Sequence, residues 1–212
     1  MDNKKWHDKV IGERVVESLK DNFFDAIYFE TSVEATTYIM DYIKEGDKIG
    51  FGGSATIYEM GIQKKALDKK AIVLDHNNPA LSKDEKQAIR RQQLTCDLFL
   101  CSSNAITLDG ELVNIDCVGN RVSAMTFGPQ KVIIAAGVNK ICRDTEEAFN
   151  RNETIAAPLN IKKLNWDNPC IKTGVCMDCH SSTRGCRVYS VIKRKPLQSN
   201  ITVLVIGEEL GY

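Results

Sequence analysis

The segment Lys131–Gly137, which reads KVIIAAG, does most to decide the fold. It contains no polar side chain after Lys131, and a short apolar run of this kind predicts a strand buried on both faces, as in a parallel sheet covered by helices. Similar runs predict further strands at 71–75 (AIVLD) and 97–102 (DLFLCS), and two late strands are predicted at 187–194 (RVYSVIKR) and 201–211 (ITVLVIGEELG). Helical patterns separate these runs, so the sequence predicts an α/β fold with a mostly parallel sheet.

The remaining elements are predicted from periodicity and from capping signals. Helices are expected at 7–21, from Ser32 to Lys44, from the capping box of Ser82 and Glu85 to about Leu94, after Arg121 and at 144–164. Two further strands are expected at 25–29 and 47–51. A hairpin is expected at 106–116, with its turn at Asp109–Gly110. Since no linker divides the chain, we expect a single domain over 1–212, with a cysteine-rich loop at 169–187 before the last strand.

Composition and charge argue against several classes of partner. The chain has 212 residues, of which 43% are hydrophobic, and its 28 basic residues balance 28 acidic ones. A net charge of zero predicts no nucleic-acid partner, because such binding depends on positive charge. The charged N-terminus lacks the apolar segment of a signal peptide, and no apolar run approaches the ~18 residues of a membrane span. We therefore expect a cytoplasmic protein with no membrane partner and with reduced thiols.

The strand at 47–51 leads into a glycine-rich loop, GFGGSAT, with a helix expected after it. Glycines let a ligand approach the backbone, and the N–H groups at a helix start favour phosphate or carboxylate. The loop predicts a site for a small anionic metabolite formed by Gly52, Gly53, Ser54 and Thr56. Glu59, about one turn further on, is a candidate catalytic residue at the same opening. The alternative interpretation is a tight strand–helix turn with a solvated Glu59.

A second loop, at 119–121, follows the predicted hairpin and precedes a short helix. Loops at the carboxyl ends of parallel strands converge on one crevice. We therefore expect Arg121 to bind the anion of the glycine loop through two guanidinium N–H groups, and Asn120 to bind it through its side-chain amide. Asn139 and Lys140 follow the strand at 131–137 and occupy the next such position. The alternative interpretation is a structural ion pair for Arg121 and a turn for Asn139.

Several segments together resemble the LUD-domain family, of the lactate-utilisation protein C or YkgG-like type. They are the loop GFGGSATIYEMG, the run DGELVNIDCVGNRVSAMTFGPQKVIIAAGVNKI, the cysteine segment and the ending ITVLVIGEELG. The resemblance covers about 25–212 and implies a three-layer, Rossmann-like fold like that of the sugar-phosphate isomerase and CoA-transferase superfamily. It also implies a link to oxidation of lactate or similar 2-hydroxy acids, beside iron–sulfur and flavin partner subunits. The cysteine motif near the end indicates a separate branch of this family.

The segment 169–186, PCIKTGVCMDCHSSTRGC, contains four of the eight cysteines, spaced C-x5-C-x2-C-x6-C. In a cytoplasmic protein such a cluster is more typical of a metal site than of disulfides, and the alternatives are a redox dithiol at Cys176 and Cys179 or plain reduced cysteines. Tetrahedral zinc and a [4Fe–4S] cluster both accept four thiolates, and the spacing does not distinguish them. The link to 2-hydroxy-acid oxidation favours the [4Fe–4S] cluster, with zinc as the alternative. The predicted metal ligands are Cys170, Cys176, Cys179 and Cys186.

The other four cysteines lie in apolar or strand-like surroundings. We predict that they are buried and act as small hydrophobic residues without a functional role. They are Cys96, Cys101, Cys117 and Cys142.

These features leave three functions open. The first is an iron–sulfur redox protein that binds a small anionic metabolite and exchanges electrons with a redox partner protein. The second is a non-redox enzyme, isomerase-like or acyl-CoA-transferase-like, with Glu59 as base or nucleophile and a structural zinc. The third is a non-catalytic module that senses a metabolite or a redox state. The basic segment 184–195 is either a solvated face or a docking site for an acidic partner, and a homodimer is compatible with the sequence.

Overall fold

A six-stranded parallel sheet forms the centre of the molecule in the computed structural model, which describes residues 3–212. From one edge to the other its strands are β1 (Asp25–Phe29), β10 (Ile201–Ile206), β7 (Lys131–Gly137), β4 (Leu98–Cys101), β2 (Lys48–Phe51) and β3 (Ile72–Leu74). Every neighbouring pair in this order is parallel. The predicted parallel sheet is therefore confirmed, and the strand read from KVIIAAG lies in its interior.

Helices cover both faces of this sheet, so the fold has the three layers that the sequence predicted. Val132 and Ile134 of β7 belong to the hydrophobic cluster on one face, whereas Ile133 and Ala135 belong to the cluster on the other. The first face packs against α1 (Asn3–Asp21), α5 (Lys83–Gln93) and α6 (Asn120–Thr126), and the second against α2 (Ser32–Asp41), α3 (Ala55–Glu59) and α4 (Ile62–Asp68). Within residues 3–212, no helix combines the length and the apolar character that a membrane crossing requires.

A second, smaller sheet packs beside the first. Its strands, in order, are β8 (Ile141–Cys142), β5 (Ala105–Thr107), β6 (Leu112–Asp116) and β9 (Val188–Ile192). The antiparallel pair β5–β6 is the predicted hairpin. β9 adds to it by antiparallel pairing with β6, which the sequence did not reveal. The cysteine-rich loop thus precedes the last two strands, of which β9 joins the second sheet and β10 joins the first.

The helix predicted at 144–164 consists of three consecutive parts. These are α7 (Thr145–Arg151), a π-helical turn (Asn152–Ala156) and α8 (Ala157–Lys163). A π turn inserts one extra residue into a helix and often occurs at functional sites. A 3₁₀ turn at Val138–Lys140 follows β7, and a short helix, α9 (Cys170–Thr173), begins the cysteine segment.

The first helix begins at Asn3 instead of residue 7, and both ends of α2 differ from the prediction. α2 has Thr31 as its N-cap, whose Oγ1 accepts a hydrogen bond from the Glu34 N–H while the Glu34 carboxylate accepts one from the Thr31 N–H. This capping box places Ser32 in the first turn of the helix. The helix then ends at Asp41 instead of Lys44.

Candidate functional site

A cavity of about 130 Å³ lies at the carboxyl ends of the parallel strands, where ligands commonly bind to open α/β sheets. We term it the sheet-end cavity. Its walls come from the loops after β2, β4 and β6, the turn after β7, the π turn, α8, the cysteine segment and the C-terminus. Of the predicted ligand-binding residues, the cavity brings together Gly52, Gly53, Ser54, Arg121 and Lys140.

The glycine loop forms one wall of this cavity. A Cβ atom at Gly52 would lie 2.8 Å from the Cβ of Cys101 and 3.3 Å from the Cγ of Arg121, so a side chain at this position would displace both neighbours. Ser54 is the N-cap of α3, and its Oγ accepts a hydrogen bond of 3.2 Å from the Ile57 N–H. The loop is therefore a tight strand–helix turn, and it also borders the cavity as the sequence predicted.

The guanidinium group of Arg121 is largely occupied by contacts within the protein. It donates four hydrogen bonds of 2.8–3.0 Å, to Ser102 O, Asn114 Oδ1, Asn104 Oδ1 and Ile115 O. These bonds fix the loop after β4 against the end of β6. Arg121 thus holds the wall of the cavity in place and contributes positive charge to it, while direct contact with a ligand stays a prediction.

Lys140 is the most deeply buried charged group at the cavity, with only 3% of its surface exposed. Its Nζ donates hydrogen bonds to Thr56 Oγ1 at 2.9 Å and to Ser102 Oγ at 3.0 Å. Burial, together with the positive charges of Arg151 and Arg121, lowers the pKa of Lys140 to about 7. An anion bound here would favour the protonated amine, because a nearby negative charge stabilises the ammonium form.

Two predicted residues, Glu59 and Asn139, hold the C-terminal segment. The Glu59 carboxylate accepts a hydrogen bond of 2.7 Å from the Gly211 N–H, and Asn139 Oδ1 accepts one of 3.2 Å from the Leu210 N–H. This places Tyr212 in the cavity wall, where its hydroxyl lies 3.1 Å from Asn160 Oδ1. Glu59 and Asn139 therefore act on the cavity through the C-terminus, and a catalytic role for Glu59 stays a prediction.

The other two predicted residues have different positions. The Thr56 hydroxyl accepts from Lys140 and donates to Leu210 O at 3.2 Å, so it supports the cavity from behind Lys140. Asn120 is the first residue of α6, directly after Gly119, and the described residues that line the cavity do not include it.

Sequence reasoning missed several residues of the sheet-end cavity. The most unusual is Asn152, which is fully buried at the start of the π turn and lines the cavity. One signal was available, because Ala148, Asn152 and Ala156 recur at helical spacing and Asn152 is the only polar residue among them. The polar run after β4 was a second signal. The further missed lining residues include Ser102, Ser103, Asn104, Asn160, Trp166 and Tyr212.

A second, smaller cavity, of about 10 Å³, brings the four predicted metal ligands together. We term it the cysteine cavity. Cys170 lies in α9, and the three other thiols lie in the loop that follows. The lining residues are Ala157, Pro158, Ile161, Asn168, Met177, Arg184, Gly185 and the thiols Cys170, Cys176, Cys179 and Cys186.

Two sets of hydrogen bonds close the cysteine loop. Arg184 donates 2.8 Å hydrogen bonds to the carbonyl oxygens of Cys179 and Cys186, and it pairs with Asp178 at 2.7 Å. At the base of the loop, Thr183 Oγ1 donates to Asn168 Oδ1 at 2.6 Å, and Asn168 Nδ2 donates back to Thr183 O at 3.2 Å. The loop is therefore held by side chains that leave the thiols themselves available.

The four thiols are donors of the type that both zinc and a [4Fe–4S] cluster accept. Within residues 3–212, no three His, Cys, Asp or Glu side chains are arranged to hold one metal ion. Zinc requires its thiolates to converge to ~2.3 Å from one point. The four thiols line a common cavity, and the Asp178 N–H donates a hydrogen bond of 3.4 Å to the Cys176 sulfur.

Three of the four remaining cysteines are buried as predicted. Burial raises the pKa of Cys96 and Cys142 to about 11 and that of Cys101 to about 12, so these thiols stay protonated. The prediction was wrong for Cys117, which is half-buried and lines the sheet-end cavity. The reason is its position just after β6, at the open end of the second sheet and outside its core.

The two cavities share a wall. Ala157 and Ile161 of α8, with Gly185 and Cys186 of the cysteine loop, line both of them. A Cβ atom at Gly185 would lie 2.6 Å from Cδ1 of Ile161, so glycine allows this loop to pack closely on the helix. A ligand in one cavity would therefore lie next to a group bound in the other.

The sequence pattern of the LUD domain family matches residues 12–206. The chain belongs to the LUD domain family. Its fold is similar to that in the crystal structure of a DUF162 family protein from Deinococcus radiodurans, with a TM-score of 0.52 and 11% sequence identity over 94% of this chain and 98% of the other. No curated protein matches the chain.

Membership of the LUD domain family suggests a function related to lactate utilisation. The matched residues include the four thiols of the cysteine cavity and, in the sheet-end cavity, Lys140 and Asn152. At 11% identity, the likeness to the Deinococcus protein shows the fold alone. The ligand of this LUD domain must therefore be inferred from its own residues.

Proposed function

We propose that this LUD domain is an iron–sulfur redox protein of lactate or related 2-hydroxy-acid utilisation. It binds a small anionic metabolite in the sheet-end cavity and a [4Fe–4S] cluster in the cysteine cavity. It represents a branch of the family defined by the cysteine motif. We place it in the cytoplasm, where thiols stay reduced.

The observation that carries this proposal is the shared wall. Cys186 borders both cavities, so the predicted cluster ligand lies beside the space where the anion would bind. A bound [4Fe–4S] cluster supplies reversible one-electron transfer. A redox partner protein, most simply a flavoprotein, would donate or accept that electron, and the chain itself then makes and breaks no covalent bond.

The residues of this chain have separate tasks in the proposal. The cluster would be held by the thiolates of Cys170, Cys176, Cys179 and Cys186. Arg184 and Asn168 keep the loop closed around them. In the other cavity, protonated Lys140 would balance the charge of the anion, and Arg121 would keep the wall and its positive potential in place.

Metal content tests the proposal directly. Protein purified without oxygen is expected to contain about four iron and four sulfide per chain, with a broad absorption near roughly 400 nm. One zinc per chain without colour would instead support the non-redox enzyme with a structural metal. Absence of both, with ligand-dependent thermal stabilisation, would support the sensing module.

A further inference from the structure

Asn152 is a buried amide that the fold itself does not use. Its side chain is fully buried, and neither Nδ2 nor Oδ1 has a hydrogen-bond partner among residues 3–212. Both atoms lie in a residue that lines the sheet-end cavity. Buried amides normally have partners, because an unpaired one loses its hydrogen bonds to water without replacement.

Arg151, next to Asn152, fixes the start of the π turn by two hydrogen bonds. Arg151 donates to Asn139 O at 3.1 Å and to Asn104 O at 2.8 Å, and so anchors the start of the π turn to two loops near the cavity. Asn152 is thereby fixed at the wall. Its two unpaired polar atoms are therefore held at a fixed position in the cavity wall.

Lys140 supplies the second part of the site. Its two hydrogen-bond partners use their own protons elsewhere, since Thr56 Oγ1 donates to Leu210 O and Ser102 Oγ donates to Ser103 O. An ammonium group has three donors. Two go to these hydroxyl groups, and the third is available to an anion in the cavity that Lys140 lines.

The unpaired side-chain amide of Asn152 indicates which functional groups a ligand needs. Oδ1 needs a donor, whereas Nδ2 offers two N–H groups and needs an acceptor. A keto or ether oxygen only accepts, so it would leave Oδ1 unpaired. An amine only donates, and as a cation it would be repelled by Lys140, Arg121 and Arg151. A hydroxyl group both donates and accepts, and two hydroxyl groups can satisfy both atoms of the amide.

We propose that the sheet-end cavity binds a carboxylate that carries two hydroxyl groups, with Lys140 holding the carboxylate and Asn152 the hydroxyl groups. The inference rests on the proposed function for the presence of an anion in this cavity. It adds a binding residue, Asn152, and a chemical class, a dihydroxylated acid.

Three acids with the same carbon skeleton test this inference on the full chain. Propionate has no hydroxyl group, lactate has one and glycerate has two. By isothermal titration calorimetry, affinity is expected to increase in that order, with glycerate at least about tenfold tighter than propionate. Equal affinity for the three acids in the unsubstituted protein would overturn the inference.

Two variants test whether Asn152 causes the preference for hydroxylated acids. Asn152→Leu has a similar size but no polar atoms, so it is expected to bind the three acids equally and to melt no lower than the unsubstituted protein. A purely structural Asn152 would instead lower the melting temperature when replaced and leave the preference intact. Asn150→Leu, exposed on the same helix, is the matched control and should keep the preference.

The outcomes separate this inference from the proposed function. One outcome is that all three acids bind with equal affinity and that Lys140→Met weakens the binding of each. This result would support the anionic cavity and refute the role of Asn152. If none of the three binds, the anionic cavity is refuted and the role of Asn152 with it. If glycerate is preferred even in Asn152→Leu, another residue recognises the hydroxyl groups.

Discussion

The two cavities are built from the chain in opposite ways. The sheet-end cavity takes its walls from residues between Gly52 and Tyr212, on both sheets and several loops. The cysteine cavity is local, since all its lining residues fall between Ala157 and Cys186. Its chemistry is also simpler, with four thiols and a mainly apolar surround, whereas the sheet-end cavity contains the buried polar residues Lys140 and Asn152.

The cysteine cavity depends on one segment of the chain, whereas the sheet-end cavity depends on the assembled fold. A loop of closely spaced thiols can bind a metal wherever it is placed, and the metal then contributes to ordering the loop. The sheet-end cavity is formed by the parallel sheet before any ligand arrives. Changes in one cavity should therefore affect the other only through their shared wall, at Ala157, Ile161, Gly185 and Cys186.

The largest effect is expected from removing two thiols. Cys176→Ser combined with Cys179→Ser should abolish bound iron, because two of the four proposed thiolates are gone. Iron analysis and the visible spectrum measure this loss, and circular dichroism should show the main sheet intact. Cys117→Ser is the matched control, since Cys117 lies outside the cysteine cavity. Full iron content in the double variant would refute the metal assignment.

Arg184→Ala is expected to have the next largest effect. It removes both hydrogen bonds to the loop carbonyl groups and the ion pair with Asp178. Loss of such outer contacts typically lowers metal affinity 10–100-fold. Competition with a chelator measures the change, with the exposed Arg194→Ala as control. If iron is retained equally in both variants, the loop does not depend on Arg184.

Lys140→Met should change the pH dependence of stability. Below pH 7, Lys140 is charged in both the folded and the unfolded state. Between about pH 7 and its usual value of 10.5, the unfolded chain binds a proton that the folded protein does not. The free energy of unfolding contributed by Lys140 therefore rises with pH in this window, by at most ~1.4 kcal/mol per pH unit, and methionine removes this contribution.

Urea denaturation between pH 6 and pH 9 measures this difference. The unsubstituted protein should gain stability relative to Lys140→Met as the pH rises above 7. Lys131→Met is a useful control, because Lys131 lies at the opposite end of β7. A stability difference that is constant or falls with pH would contradict the burial of a neutral amine at the cavity.

The smallest effect is expected at Glu59. Glu59→Gln keeps an acceptor for the Gly211 N–H, so both stability and ligand affinity should change little. Glu59→Ala removes the bond, which is exposed, and should cost less than about 1 kcal/mol of unfolding free energy. Thermal unfolding and calorimetric titration check both variants. Complete loss of an enzymatic turnover in Glu59→Gln would instead favour the catalytic role.

Much of the fold was predictable because its signals are local. The apolar run at Lys131–Gly137 and the capping box of Ser82 and Glu85 predicted a strand and a helix start that the structure contains.

The pairing of β9 with β6 joins distant parts of the chain, with Ile192 opposite Leu112. The pairing was not predictable because α6, β7, α7 and α8 all lie between these two strands in the chain. No local pattern links strands so far apart, and their register depends on the packing of both.

The candidate site divides in the same way. The four thiols were grouped from their spacing, because cysteines of one loop are close in the chain as well as in space. Gly52, Gly53, Ser54, Arg121 and Lys140 were found because loops after parallel strands meet at one edge. The contacts that decide their roles, such as Glu59 with Gly211, join distant segments and were not visible in the sequence.

The sequence by itself determined the parallel sheet, the glycine loop and the set of four thiols, since each depends on residue types at short spacing. Only the tertiary structure decided that Arg121 is occupied by protein acceptors, that Lys140 is buried and that Asn152 has no partner within residues 3–212. It also decided that the two cavities share a wall. The physical reason is that burial and hydrogen-bond pairing depend on which segments meet, and short-range patterns do not specify this.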